Sequence, residues 1–210
     1  MTDWAYLFKT GIALFAIVNP IGNLPIFISA TNHWSKAERS HTANIVAMTV
    51  FTVLAIATFF GNDFLGFFNI SIPSFQVGGG ILVLLMSINM MHAKQSHARQ
   101  TPEEAQTMAE KNAIAIVPLS IPLLAGPGAI SSMIIAAEKS TNFMALTSLL
   151  MPVAVVALLV WLTLHLATKI TQFLGTIGIN IITRLMGLIL SAMAIEFIAH
   201  GLAGLFPKLV

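Results

Sequence analysis

Cysteine is absent from the 210 residues, and charged residues are scarce. The lack of a thiol excludes disulfide bonds, thiol catalysis and cysteine-based metal sites. Only 9% of the residues are charged, against about 25% in soluble domains, so the chain has too few charges to cover a water-exposed surface. The net charge is +2 and the basic residues are dispersed, so the sequence has no basic block of the kind that is typical of nucleic-acid binding.

Hydrophobic residues make up 57% of the chain and are gathered in runs of membrane length. Each run is long enough to cross a hydrocarbon core of about 30 Å. Because backbone polar groups find no water there, each run is predicted to be a helix. The runs are 5–30, 42–61, 73–92, 112–136, 144–167 and 181–203.

Short polar patterns mark where some of these helices begin or bend. Ser35 to Glu38 and Thr101 to Glu104 each have the spacing of a capping box. Pro73 is expected in the first turn of the third segment, and Pro152 is expected to kink the fifth.

The distribution of Lys and Arg predicts the orientation. If all six segments cross the bilayer, the basic residues divide unequally between its two sides. One side holds Lys36, Arg39, Lys94, Arg99, Lys111 and Lys169, with Arg184 close by, and the other holds Lys9, Lys139 and Lys208. The richer side is predicted to be cytoplasmic, which places both termini in the periplasm of a bacterial inner membrane.

An internal repeat relates the two halves of the chain. The stretch FLGFFNISI (64–72) resembles FLGTIGINI (173–181), and GILVLLMSI (80–88) resembles GLILSAMAI (187–195), so that Gly80 matches Gly187. The first and fourth segments also share the letters AIV before a proline-rich stretch.

The repeat predicts one membrane domain over residues 1–210. Repeat 1 covers about 1–92, a cytoplasmic loop about 93–111, and repeat 2 about 112–210. Three crossings per repeat insert the second repeat upside down, as in many secondary transporters. The expected fold is therefore an all-α integral membrane protein of six transmembrane helices in two inverted three-helix repeats. Two alternatives stay open: simple kinks in packed helices, and re-entrant hairpins that would make the halves parallel.

The first segment is interrupted by the sequence NPIGNLP (19–25). Pro20 and Pro25 lack an N–H and obstruct a helix, whereas Gly22 adopts backbone angles that other residues avoid. Asn19 and Asn23 can bond the main-chain groups that an interruption leaves open.

The fourth segment carries a matching interruption in PLSIPLLAGPG (118–128). Its prolines and glycines are Pro118, Pro122, Gly126, Pro127 and Gly128. Ser120, Ser131 and Ser132 add hydroxyl groups nearby. Unwound backbone in a bilayer is tolerated where it lines a cavity, so the paired interruptions predict a shared internal binding site.

Half-helices on either side of each interruption offer opposite partial charges. Helix starts after Pro25 and near Gly128 present unpaired N–H groups to an anion such as a carboxylate. Carbonyl groups near Val18 and Val117 suit a cation or an ammonium group. A zwitterion satisfies both, so we expect a small polar solute.

The stretches NPIGNLPIF (19–27) and PLSIPLLAGPGAI (118–130) resemble the paired signatures of the MarC-like family of bacterial inner-membrane proteins. FQVGGGILVL (75–84) and RLMGLILSAMAIEFI (184–198) resemble the same family. The resemblance implies six spans and an inner-membrane location. Some members are implicated in transport of small neutral amino acids, which implies the same solute class here.

Glu196 is the acid that lies well inside an apolar segment, and such a group is a functional candidate. The repeat matches it to Asn89, and His200 follows one helical turn later. We expect Glu196, with Asn89 as its match, to serve ion coupling or substrate contact. The alternatives for Glu196 are a structural hydrogen bond and exposure to water at the membrane interface.

Other chemistry finds little support. The six histidines form no HExxH pattern, so no metal site is predicted. Gly78 to Gly80 lack the ending of a phosphate loop and are expected to serve close helix packing. No enzyme activity and no cofactor are expected. The leading hypothesis is a secondary transporter with the lipid bilayer, a small solute and a coupling proton or sodium ion as partners. A non-transporting scaffold, an exit channel, an intramembrane enzyme and a homo-oligomer stay open.

Overall fold

The computed structural model describes residues 4–31, 34–92, 124–140 and 142–207, and these ranges contain α-helices and no strand. The helices are α1 (Trp4–Val18), α2 (Leu24–Ala30), α3 (Lys36–Phe67), α4 (Ile72–Met91), α5 (Pro127–Glu138), α6 (Phe143–Ser148), α7 (Leu150–His165) and α8 (Ala167–Leu205). The predictions for Pro118, Ser120, Pro122, the loop 93–111 and the Thr101 capping box lie outside the described residues.

Four helical stretches of the described chain are long and apolar enough to cross a membrane: α3, α4, α6 with α7, and α8. Helix α1 is apolar as well but has only 15 residues. The prediction of an all-α integral membrane protein is confirmed by these helices.

The structure confirms two predicted helix starts. The Ser35 hydroxyl accepts a bond from the Glu38 N–H, and the Glu38 carboxylate accepts one from the Ser35 N–H, which together form the capping box of α3. Pro73 lies in the first turn of α4, where its missing N–H removes no helical bond.

The fifth and sixth segments differ in detail from the prediction. The fifth is divided at Leu149, three residues before Pro152, so this proline lies in the first turn of α7 and does not kink its middle. Helix α8 begins at Ala167, earlier than predicted, and is interrupted at Gly175, whose φ of 61° favours glycine.

Polar side chains at one end of the bundle show that α3 and α7 run antiparallel. The His165 Nε2 atom lies 2.9 Å from the Ser40 hydroxyl, and the Trp161 indole N–H donates to the Asn44 amide oxygen at 2.7 Å. Residue numbers therefore rise along α3 as they fall along α7.

Helices α4 and α8 form the most extensive helix pair, and they also run antiparallel. A Cβ added to Gly80 would lie 3.0 Å from the Ala194 carbonyl oxygen. A Cβ added to Gly187 would lie 3.1 Å from the Ser87 carbonyl oxygen. The lack of a side chain at both glycines lets the two backbones approach closely.

These two glycine contacts are reciprocal. Ser87 follows Gly80 by seven residues, and Ala194 follows its repeat partner Gly187 by the same number. Gly80 of α4 therefore approaches Ala194 of α8, and Gly187 of α8 approaches Ser87 of α4, which is the equivalent position. A two-fold rotation that interchanges α4 and α8 would leave these contacts unchanged, so the pair has local two-fold symmetry.

The buried core lies where α1, α3, α5 and α7 pack together, and α4 and α8 cover one side of it. Its fully buried side chains include Leu14, Val46, Met133 and Val153. Val18, the last residue of α1, belongs to this core.

We predict that Gly80→Ala destabilises the protein whereas Gly78→Ala does not. The added methyl group at Gly80 would press on α8 backbone atoms, at a cost of about 1–3 kcal/mol. At Gly78 nothing lies within 4 Å of the added Cβ, and alanine favours the helix by roughly 0.5–1 kcal/mol. Thermal unfolding in detergent measures both variants, and equal melting temperatures would contradict the close approach.

Candidate functional site

The interruption between α1 and α2 is built around Asn19. Its φ of 44° places the backbone in the left-handed region, which asparagine tolerates better than most residues. The Asn19 side chain folds over the Cα atom of Gly22, and its amide oxygen accepts a bond from the Gly22 N–H at 3.2 Å. A side chain at position 22 would collide with this amide, which explains the glycine.

Asn23 closes the interruption from the other end. Its side-chain amide donates to the carbonyl oxygens of Val18 and Asn19, each at 3.1 Å, and Asn23 is buried. The Val18 carbonyl, expected to face a cation, therefore already accepts a hydrogen bond. Asn19, Pro20 and Asn23 are buried, and Gly22 and Pro25 are partly buried.

The described part of the second interruption is Gly126, Pro127 and Gly128. Gly126 is the N-cap of α5 and has no side chain that bonds the helix end, and Pro127 occupies the first turn. Pro127 has no N–H, and those of Gly128 and Ala129 have no acceptor within the helix. The start of α5 thus has main-chain donors and a positive dipole end beside the interruption.

The structure brings the two interruptions together. A Cβ added to Gly128 would lie 3.3 Å from the Ile17 side chain and 2.6 Å from the Val83 side chain. The Asn19 amide nitrogen lies 4.0 Å from the Met90 sulfur. Val83 is near the middle of α4 and Met90 near its end, so the interruptions are adjacent but at different depths.

A groove of about 610 Å³ lies beside the start of α5, between α4 and α5. Most of its lining is apolar, and its two hydroxyl-bearing residues are Ser74, whose hydroxyl lies 2.8 Å from that of Ser71, and Ser131, which is buried. The remaining lining residues are Ile70, Phe75, Gly78, Gly79, Ile81, Leu82, Pro127 and Ile130. Because Ser74 lies in the first turn of α4 and Leu82 near its middle, the groove runs from one end of the bundle to the second interruption.

Ser131 reaches the groove through space that Gly79 leaves. A Cβ at position 79 would lie 2.6 Å from the Ser131 hydroxyl oxygen. Gly78, by contrast, has open space where its side chain would be. Sequence reasoning assigned all three glycines at 78–80 to helix packing and so missed Gly78 and Ser74 as groove residues. The sequence shows only two small residues one helical turn apart on α4. They can be recognised as groove residues only when the position of α5 is known.

Glu196 and Asn89 are exposed on α8 and α4, whereas the interruption residues Asn19 and Asn23 are buried. The Glu196 carboxylate lies 3.5 Å from the His200 ring, and the His200 Nδ1–H donates to the Glu196 carbonyl oxygen at 2.9 Å. Neither Glu196 nor Asn89 lines the groove. Within the described ranges, no three His, Asp or Glu side chains are grouped as metal ligands.

We predict that Asn23→Asp destabilises the protein more than Asn142→Asp. An aspartate at 23 keeps the size of the side chain but replaces the amide donor with an acceptor facing two carbonyl groups, at a cost of about 1–3 kcal/mol. Asn142 caps α6 by accepting a bond from the Ala145 N–H, a role that aspartate keeps. Thermal unfolding in detergent compares them, and equal losses would show that Asn23 does not hold the interruption closed.

Comparison with known proteins identifies the family. Residues 4–206 match the MarC family of integral membrane proteins. The chain is 40% identical to the UPF0056 membrane protein YhcE of Escherichia coli, over 99% of this chain and 97% of that protein. It is 36% identical to the UPF0056 membrane protein YvbG of Bacillus subtilis, over 98% of both chains.

The similarity extends to archaea and keeps the full length. A UPF0056 membrane protein of Methanocaldococcus jannaschii is 34% identical over 96% of this chain and 98% of that protein. No solved structure matches the chain significantly. A match over nearly all of the apolar segments, together with the helices described above, leads to one conclusion: the chain is a multi-pass membrane protein that belongs to the MarC family.

Proposed function

We propose that this chain is a secondary transporter of a small polar solute, such as a neutral amino acid, in a bacterial inner membrane. The supporting observation is the start of α5, where main-chain donors face an interruption beside a groove that carries two hydroxyl groups. Such a helix start suits an anionic group. The hypothesis assigns solute binding to the residues of both interruptions, with Ser131 and Ser74 as added contacts.

The proposal includes the inverted-repeat architecture, with residues 1–92 and 112–210 as the two repeats. Antiparallel α4 and α8 support it, because repeats of two crossings each would leave these matched helices parallel. The reciprocal contacts of Gly80 and Gly187 support it further. A pseudo-two-fold axis in the membrane plane relates the halves of many secondary transporters.

Contacts at both ends of the bundle support six crossings. Near one end, the Tyr6 hydroxyl of α1 donates to the Ala136 carbonyl of α5 at 3.3 Å, and the Asn62 amide of α3 donates to the Glu138 carboxylate at 2.9 Å. Near the other end, the Arg39 guanidinium of α3 donates to the Thr31 carbonyl after α2 at 3.0 Å. The first segment therefore starts at one end, is interrupted inside, and finishes at the other.

The same reasoning orients the chain. Helix α3 starts near Thr31 and finishes near Glu138, so α4 returns to the end where α3 began. Lys36 and Lys169 lie at this end and Lys139 at the opposite one, which agrees with a cytoplasmic location for the first two under the positive-inside rule. Both termini are then periplasmic.

The lining of the groove favours a small solute whose polar groups are an amino group and a carboxylate and whose remaining surface is apolar. Two hydroxyls and a helix start provide hydrogen bonds, and the remaining lining provides apolar contact. A neutral amino acid with a short side chain combines these features. The energy source is proposed to be a proton or sodium gradient, because the sequence carries no nucleotide-binding motif.

We predict that reporters fused after Ala30 and after Ser140 report opposite sides of the membrane. A fluorescent protein that folds in the cytoplasm is expected to be bright after Ala30 and dark after Ser140, and alkaline phosphatase is expected to give the reverse result. If the interrupted segments were re-entrant hairpins, both fusion points would report the same side.

We predict that Gly78→Leu strongly lowers solute uptake while Gly66→Leu leaves it intact. Both glycines lie in helices and have open space where a side chain would be, but only Gly78 lines the groove. Uptake of labelled neutral amino acids into proteoliposomes, under imposed proton and sodium gradients, is expected to fall by about tenfold or more for the first variant, equivalent to ~1.4 kcal/mol. Similar uptake by both variants would remove the groove from the route, and an absence of uptake by the unmodified protein under every gradient would contradict transport of this class.

A further inference from the structure

The Arg39 guanidinium lies at a corner of the bundle where α2 ends and where α3 and α8 begin. Its Nη2 atom donates to the Thr31 carbonyl oxygen at 3.0 Å, and its Nη1 atom donates to the Thr168 hydroxyl at 3.1 Å. Its Nε atom is buried and has no acceptor among the described residues. A guanidinium carries more N–H groups than these two bonds use, and both acceptors are neutral, so the charge of Arg39 is not matched.

Two lysines add positive charge beside this guanidinium. Lys36 precedes Arg39 by one helical turn on α3, Lys169 follows Thr168 on α8, and both lysines are exposed. The acid near them in the described ranges is Glu38, whose carboxylate accepts bonds from the N–H and the hydroxyl of Ser35 in the cap of α3. In the described part of the chain, no carboxylate forms an ion pair with any of the three cations. The corner therefore attracts an anion from outside the chain.

The corner lies at the level of the lipid headgroups. The apolar run of α3 starts at residue 42, so Arg39 lies three residues, or about 4.5 Å, before it. Thr168 and Lys169 directly follow the apolar run that ends at residue 167. Because the hydrogen bond between Arg39 and Thr168 holds both helix starts at one height, the three cations lie where a bilayer presents its phosphate groups.

An apolar side chain lies beside the cations on α8. Phe173 follows Lys169 by one helical turn, before the interruption at Gly175, and it is 90% exposed. Residues four apart share a face of a helix, so Phe173 and Lys169 lie on the same side of α8. A soluble anion would use the charges alone, whereas a phospholipid offers its phosphate to the cations and its acyl chain to the phenyl ring.

We propose that the corner formed by Lys36, Arg39, Thr168 and Lys169 binds the phosphate group of an anionic phospholipid, with Phe173 against an acyl chain. The phosphate would supply the negative charge and the acceptors that Arg39 lacks among the described residues, in the kind of charge-assisted hydrogen bond that arginine forms well. The inference does not depend on transport. With both termini in the periplasm, as proposed above, the lipid belongs to the cytoplasmic leaflet.

Mass spectrometry of the intact protein released from detergent with its bound lipids tests the site. Phosphatidylglycerol and phosphatidylcholine with the same acyl chains are added at equal concentration, and the protein is expected to retain phosphatidylglycerol in preference. Arg39→Gln and Lys169→Gln are each expected to weaken that retention by about fivefold, the effect of one basic residue near an anionic membrane surface. Lys169 is exposed, so its replacement tests the site even if Arg39→Gln fails to fold.

Arg184→Gln is the matched control for both variants. Arg184 is also exposed on α8 and lies fifteen residues beyond Lys169, so its replacement removes one positive charge without touching the corner. Its retention of phosphatidylglycerol is expected to stay within about twofold of the unmodified protein. Equal losses in all three variants, or no preference over phosphatidylcholine, would overturn the proposal. Displacement of phosphatidylglycerol by inorganic phosphate would also overturn it, since a soluble anion would then suffice.

Discussion

Main-chain groups inside a bilayer must find their hydrogen bonds within the protein, and the interruption after α1 satisfies this condition with two asparagines. The Asn19 side chain accepts from the Gly22 N–H, and the Asn23 side chain donates to the carbonyls of Val18 and Asn19. Because the turn is satisfied locally, the chain can leave and re-enter helical geometry at depth. The position of α2, and through Thr31 and Arg39 the start of α3, depends on this turn.

The first interruption is thus a closed, buried turn, and the second is different in character. No side chain caps α5, and a groove with two hydroxyl groups reaches its first turn. The asymmetry arises from residue type: Asn19 and Asn23 bond the backbone that they interrupt, whereas Gly126 and Pro127 have no side-chain group that could do so. At a solute site between the paired interruptions, the main-chain donors would therefore come from α5. The first interruption would line the site without offering main-chain donors.

Helices α4 and α8 pack together by close approach of their backbones. Gly80 and Gly187 allow carbonyl groups of the opposite helix to approach where any side chain would separate them. The inner faces of these helices are consequently committed to each other. Their outer faces carry polar groups such as Glu196 and His200, whose side chains are exposed and lie 3.5 Å from each other.

Several features followed from composition and local pattern alone. Scarce charge and long apolar runs determined the membrane class, because a bilayer rewards uninterrupted burial of apolar helices. Ser35 with Glu38, and Pro73, determined helix starts, because caps act within one turn. The Asn, Pro and Gly residues at 19–25 determined an interruption for the same local reason.

The tertiary structure decided which distant residues meet. Sequence pattern placed Gly78, Gly79 and Gly80 in one packing motif, but their three faces meet a groove, Ser131 and α8 respectively. The repeat matched Glu196 to Asn89, and the structure places both on the exposed surface of the chain. Helical periodicity in the sequence determines which residues share a face of a helix. Which residues lie opposite that face depends on the packing of all the helices together.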